Sequence, residues 1–250
     1  MSKGKLQKFA EMETFPNVFQ YPFAVLKEEG FSLKGRWHAD YFHNDNPITL
    51  ELGCGKGEYT VGLARQYPNR NFIGIDIKGA RMYTGAKQAV DEGLTNVAFL
   101  RTHIEFVEHF FAADEVEQLW LTFSDPQMKN PRKRLTSTFF LNRYRHFLVD
   151  RGQIHVKTDS FFLYTYTRLM AEHNYLPVPM QTDDLYASAL PVPPIQTYYE
   201  KQWLSRGITI KYLCLELPQQ GELTESGAEI PLDDYRSYHR NKRSSKDTAQ

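Results

Sequence analysis

Residues 47–68 read PITLELGCGKGEYTVGLARQYP, and the way this stretch changes character along its length decides the fold. An apolar run, Ile48 to Leu52, has the length of a strand, and a glycine turn follows it. The segment after the turn places Tyr59, Leu63 and Tyr67 on one helical face before Pro68 stops it. Between strand and helix, Gly53, Gly55 and Gly57 remove side chains that would keep a ligand from the backbone, so the pattern predicts a binding site at the carboxyl edge of a sheet. The spacing is not the dinucleotide fingerprint G-x-G-x-x-G. Glu58 stands where that fingerprint has its last glycine, and its carboxylate would repel a pyrophosphate, which argues against a nicotinamide oxidoreductase.

Working outward, NFIGIDIK (71–78) predicts a second strand, Phe72 to Ile77, with Asp76 placed to accept hydrogen bonds from a ribose. A helix carrying Met82, Ala86, Ala89 and Val90 and closed by Gly93 comes next, then strands at NVAFL (96–100) and EQLWLTFS (117–124). Phe140, Tyr144, Phe147 and Leu148 repeat at helical spacing, with Gly152 as the stop and the strand QIHVK (153–157) beyond it. Strands alternating with helices predict an α/β fold, a mostly parallel sheet with helices on both faces. The last third departs from this rhythm with a helix from about Ser160 to His173, a PVPP connection, and ITIKYLCLEL (208–217) as an antiparallel edge strand. Residues 1–46 show no sustained period and read as an N-terminal extension crossing the surface of a domain at 47–232. Residues 233–250, with Arg236, Arg240, Lys242, Arg243 and Lys246, read as a basic, frayed tail.

Composition narrows the partners. Thirty basic and thirty acidic residues cancel, so a polyanion site must be a local patch. The two cysteines, Cys54 and Cys214, have no metal-ligand spacing, which argues against a disulfide scaffold or a metal site and suits the reducing cytoplasm. No apolar run approaches the roughly 18 residues that a membrane span requires, so no membrane partner is expected.

The local patch is at FSDPQMKNPRKRLTS (123–137). Asp125 closes the fourth strand of the parallel region, on the same sheet edge as Glu51 and Asp76. From Pro126 to Val149 the chain then has six Lys or Arg and no Asp or Glu. Such a segment leaving a ligand-binding edge is suited to phosphates, through Lys129, Arg132, Lys133 and Arg134.

Together ELGCGKG, FIGIDIK and SDPQMKNPRKRL resemble the bacterial tRNA (guanine-N7-)-methyltransferase family, over roughly residues 46–217. Its fourth-strand motif runs Pro-Asp-Pro-Trp-x-Lys and then a basic run. Here Ser124 and Gln127 replace the first proline and the tryptophan, and the run is about two residues shorter. Thr158-Asp159 and the segment TYYE, Thr197 to Glu200, match two further family motifs. The resemblance implies a Rossmann-like class I methyltransferase with a seven-stranded sheet, S-adenosyl-L-methionine as cofactor, and tRNA as substrate, methylated at N7 of a variable-loop guanine. It implies cofactor contacts from Glu51, Gly53, Gly55, Asp76 and Asp125, the last also catalytic, and guanosine contacts from Lys129, Asp159, Thr197 and Glu200. His103 stands where the family usually has an acid after the third strand, and Asp76 where it more often has Glu. A monomer or homodimer is expected. Two other readings compete: a methyltransferase acting on another RNA or a small molecule, and a non-catalytic RNA-binding subunit, which would have no need of intact Glu51, Gly53, Gly55 and Asp76.

Structural roles compete for the same residues. Asp125-Pro126 and Asp159 could be helix N-caps, and Thr197 with Glu200 fits a capping box for a short helix ending near Gly207. Phe161, Phe162, Tyr164 and Tyr166 read as core rather than as a stacking platform.

Overall fold

Strands buried along their whole length mark a parallel sheet covered on both faces. A computed structural model describes residues 3–236 and shows this pattern in β2 (Ile48–Leu52) and β3 (Asn71–Ile75), where every residue is buried. The other strands are β1 (Val18–Gln20), β4 (Val97–Arg101), β5 (Val116–Thr122), β6 (Leu148–Thr158), β7 (Met180–Thr182) and β8 (Lys211–Leu217). They form one eight-stranded sheet in the order β1-β4-β3-β2-β5-β6-β8-β7. Pairing is parallel from β1 to β6 and antiparallel on both sides of β8.

The helices are α1 (Lys3–Met12), α2 (Phe23–Glu29), α3 (Glu58–Gln66), α4 (Gly79–Asp91), α5 (Thr138–Tyr144), α6 (Phe161–His173) and α7 (Tyr198–Leu204). Side chains alternate across the strands and feed two cores. Leu50, Ile73, Leu119 and Ile154 join residues of α5 and α6 on one face, while Phe72, Phe99, Trp120 and Tyr212 meet α3 and α4 on the other.

Five expectations are corrected. The sheet has eight strands, because the N-terminal segment adds β1 at the edge beside β4. That segment is not a surface extension: Met12, Leu26, Phe31, Trp37 and Phe42 are buried, and Phe19, Trp37 and Tyr41 interlock edge to face. The antiparallel strand β8 is internal, with β7 outside it. The helix carrying Phe140 and Tyr144 ends at Tyr144, and β6 begins at Leu148 and runs through Gly152. Phe147 and Leu148 are buried by the turn and strand instead. Within α4, Met82, Ala86 and Ala89 face the core, but Val90 is exposed.

At the other end, Asp233 is buried against the start of α6, so the first residues of the expected tail are packed. Arg240, Lys242, Arg243 and Lys246 lie outside the described residues. Among the described residues no helix is long and apolar enough to cross a membrane, and no cluster of three metal-ligating side chains occurs.

Candidate active site

The strand order reverses at β2, with β3 and β4 on one side and β5 and β6 on the other, and in open α/β sheets ligands bind outside the carboxyl ends at such a point. A cleft of about 770 Å³ opens there, lined from β2 by Gly53, from β3 by Asp76, from β4 by His103, from β5 by Ser124 and Asp125, and from β6 by Asp159. This volume is within the range of small-molecule sites.

The glycine turn has divided roles. Gly53 has a φ of +83° and open space where a Cβ would be, so its backbone is bare to the cleft. Gly57, the residue before α3, is needed for packing: a Cβ there would be 2.7 Å from the Phe99 ring. The N–H of Gly55 donates to Asp76 Oδ2 at 3.0 Å, and the N–H of Lys78 donates to Oδ1 at 2.7 Å. These bonds fix the Asp76 carboxylate at the cleft rim and leave lone pairs for hydroxyl donors. Asp125 Oδ1 accepts from the N–H of Gln127 at 3.0 Å, forming a side-chain turn rather than a helix cap. Ser124 lines the cleft, and its buried Oγ has no hydrogen-bond partner among the described residues. Carboxylates, bare backbone and an unsatisfied hydroxyl suit a ligand that has both positive charge and ribose-type hydroxyls.

Glu51 lies beneath this floor rather than on it. Its carboxylate is buried and accepts from Thr60, by both N–H and hydroxyl, and from Thr122, which ties the start of α3 to the end of β5. Desolvation pushes its pKa up to about 7, with the Thr122 and Thr60 hydrogen bonds opposing the shift and Asp76 adding to it. Since the folded value lies above the unfolded one, the native state keeps a proton that the unfolded chain releases. The stability from this group is therefore lost as pH rises from 4.5 to about 7. Glu51→Gln should flatten that decline, which is on the order of 3 kcal/mol. Parallel melting profiles for variant and wild type between pH 5 and 8 would refute it.

Of the four cations expected to meet phosphate, three are on the surface and one is not. Lys129, Arg132 and Lys133 are exposed, and Lys133 lines the cleft. Arg134 is buried: it donates to the carbonyls of Pro126 at 2.9 Å and Gln127 at 3.1 Å and lies over the Tyr166 ring at 3.9 Å. Its guanidinium holds the loop that presents the others, which corrects its assignment as a phosphate ligand. Arg143 and Arg145 are likewise occupied, by Glu108 and by the carbonyls of Pro218, Gln220 and Gly221.

The three residues open to a cap or a ligand reading separate. Ser160, not Asp159, caps α6, accepting from Leu163 N–H at 2.9 Å. Asp159 borders the cleft. Thr197 and Glu200 form a complete capping box on α7, and Glu200 Oε1 also meets Lys157 Nζ at 2.7 Å in an ion pair with no solvent exposure on either side. Tyr186 donates to the same oxygen. Neither Thr197 nor Glu200 lines the cleft in this arrangement. Instead they set α7 so that Tyr199 and Trp203, one turn apart, line it. Sequence reading missed these two, and also Glu105, which lines the cleft two residues beyond His103. The i, i+4 aromatic spacing within TYYEKQW was the available signal.

Sheet order, cleft position and lining carboxylates define the class I methyltransferase fold. Solved structures share it: the 16S rRNA methyltransferase KamB is 15% identical with a TM-score of 0.53, covering 69% of this chain and 88% of that one. The 16S rRNA (adenine(1408)-N(1))-methyltransferase from Catenulisporales acidiphilia is 13% identical with a TM-score of 0.51, covering 72% and 91%. At these identities the likeness shows the fold alone. Residues 45–213 match the family model described as "Putative methyltransferase". The tRNA (guanine-N(7)-)-methyltransferase of Bacteroides fragilis (strain YCH46) is 58% identical over 100% of both chains, and that of Porphyromonas gingivalis (strain ATCC BAA-308 / W83) is 59% identical over 93% of this chain and 98% of its own. The chain belongs to the tRNA (guanine-N(7)-)-methyltransferase family.

Proposed function

We propose that this protein transfers the methyl group of S-adenosyl-L-methionine to N7 of a guanine in the variable loop of tRNA, and that Asp76, Asp125 and Asp159 line the path of the reaction. The observation that carries this reading is the row of carboxylates along one cleft, with Lys133 on its wall and Lys129 and Arg132 on the adjoining loop. S-adenosyl-L-methionine supplies, when bound, an electrophilic methyl on a sulfonium cation.

The residues present fit that group. Asp76 can accept from ribose hydroxyls, Gly53 lets the backbone come close, and the Asp125 carboxylate suits a cationic ligand that has no phosphate to repel. Glu51 acts from below by fixing the turn. His103 and Glu105 border the cleft at the end of β4, where an adenine amine could find an acceptor.

Guanine N7 carries a lone pair and no proton, so the chain needs no general base and its work is positioning. Asp159 can accept from the N1 and N2 protons of guanine, orienting N7 and balancing its growing positive charge. Lys129, Arg132 and Lys133 offset the cost of unstacking the base, a few kcal/mol, through phosphate contacts.

The test is full-length protein with labelled S-adenosyl-L-methionine and unmodified tRNA. Nuclease digestion should yield labelled 7-methylguanosine, and methylation at another atom, or none, would reject the assignment. In the same assay Lys129→Ala with Lys133→Ala should weaken tRNA binding and reduce the slope of log affinity against log salt by about 1 to 2. An unchanged slope would remove these lysines from the phosphate track.

A further inference from the structure

Three separate elements bring two cations and two tyrosines into one row. Lys56 stands in the glycine turn, Arg81 in the first turn of α4, and Tyr198 and Tyr199 open α7. Lys56 Nζ lies 4.1 Å from the centre of the Tyr198 ring and the Arg81 guanidinium 5.9 Å from that of Tyr199. The two rings meet edge to face at 5.6 Å. Arg81 and Tyr199 line the cleft, and Lys56 and Tyr198 continue the row beyond its lining.

The rings are held in place and yet left in water. Gln202 donates to the Tyr198 hydroxyl at 2.9 Å. The Tyr198 N–H donates to Glu58 Oε2 at 3.0 Å, which ties the start of α7 to the start of α3 and engages the nearby carboxylate. Tyr198 and Tyr199 nevertheless remain 47% and 39% exposed. Fixed, exposed rings interleaved with cations match the alternation of base and phosphate along a single strand.

The position of the row matters as much as its chemistry. Arg81 follows β3 and Lys133 follows β5, and β2 lies between those strands, so cations flank the cleft on both sides. Presenting an unstacked guanine to the cleft leaves the neighbouring nucleotide short of a stacking partner.

Resting on the function proposed above, we infer that Lys56, Arg81, Tyr198 and Tyr199 form a second RNA-binding wall, which takes the nucleotides of tRNA next to the target guanine. The tyrosine rings replace the stacking that those bases lose, and Lys56 and Arg81 move from the rings to the phosphates. The loop of Lys129, Arg132 and Lys133 holds the chain on the other flank. Because every base has a flat face, this wall adds affinity without reading sequence.

The experiment uses Lys56→Gln, Tyr198→Leu and Tyr198→Phe in the full-length protein; neither residue lines the cleft. Binding of unmodified tRNA without methyl donor is measured across a salt series, then KM and kcat for 7-methylguanosine formation, binding of S-adenosyl-L-methionine, and sedimentation. Lys56→Gln should reduce the slope of log affinity against log salt by about 1. Tyr198→Leu should weaken tRNA binding at least about fivefold with the slope unchanged, and Tyr198→Phe should restore it, since stacking needs the ring and not the hydroxyl. In both weakened variants KM for tRNA should rise while kcat at saturating tRNA and cofactor affinity hold. Unchanged tRNA affinity and slope would make the row a solvated face, and weaker cofactor binding in Lys56→Gln would make it a support of the glycine turn. A shift in oligomeric state with tRNA affinity intact would assign the face to a second copy of the chain. Each of these overturns the inference while 7-methylguanosine from the wild type leaves the function standing. Wild-type protein that neither retains tRNA nor forms 7-methylguanosine overturns both.

Discussion

Glu200→Ala is expected to cost the protein about 3–5 kcal/mol of stability. Glu200 and Lys157 are paired at 2.7 Å with neither side chain exposed. Burial drives the Lys157 pKa down, and Glu200 opposes this most, with Glu51 adding to it. Removing the carboxylate strands an ammonium in the interior, leaves the Tyr186 hydroxyl without its acceptor, and opens the capping box at Thr197. In a chain of this size the loss corresponds to a fall in Tm on the order of 10 °C. Urea and thermal unfolding measure it directly. If Glu200 served chiefly as a guanosine ligand, the variant would melt like the wild type and fail only in turnover.

Asp125→Ala should show the opposite profile. Asp125 is exposed at the cleft, and the hydrogen bond that it accepts from Gln127 N–H shapes a local turn. Its loss should change stability by well under 1 to about 1 kcal/mol. The cleft, however, would lose a carboxylate at the place where a cationic donor is to be held, and kcat/KM should fall roughly a hundredfold or more. Steady-state methyl transfer alongside a melting curve separates the two effects. Near-wild-type turnover would reduce Asp125 to a turn former.

The contrast between these residues explains what sequence could and could not tell. Gly53, Asp76 and Asp125 were legible because each sits at the end of a strand, and strand ends in a parallel sheet share an edge. Their neighbours in space follow from topology alone. Arg134 matched the family motif in type, but its burial depends on a distant partner, Tyr166, that no local spacing announces. For Glu200 the local spacing announced the capping box and not the ion pair with Lys157. The N-terminal aromatics failed for another reason. Phe19, Phe31 and Trp37 pack from short and irregular segments, so their burial leaves no period of 2 or 3.6 to detect. Phe147 and Leu148 misled in the reverse direction, since a tight turn into β6 kept them buried at intervals that imitate a longer helix.

The N-terminal strand has a practical consequence for anyone trimming this chain to its catalytic portion. β1 covers the outer rim of β4, and the residues just after it fill a pocket of interlocking rings around Trp37. A version starting at residue 47 would present bare backbone donors and acceptors beside a patch of unburied aromatic surface, the combination that invites neighbouring molecules to zip together. Such a truncation should come out of cells as aggregate, however complete its cleft.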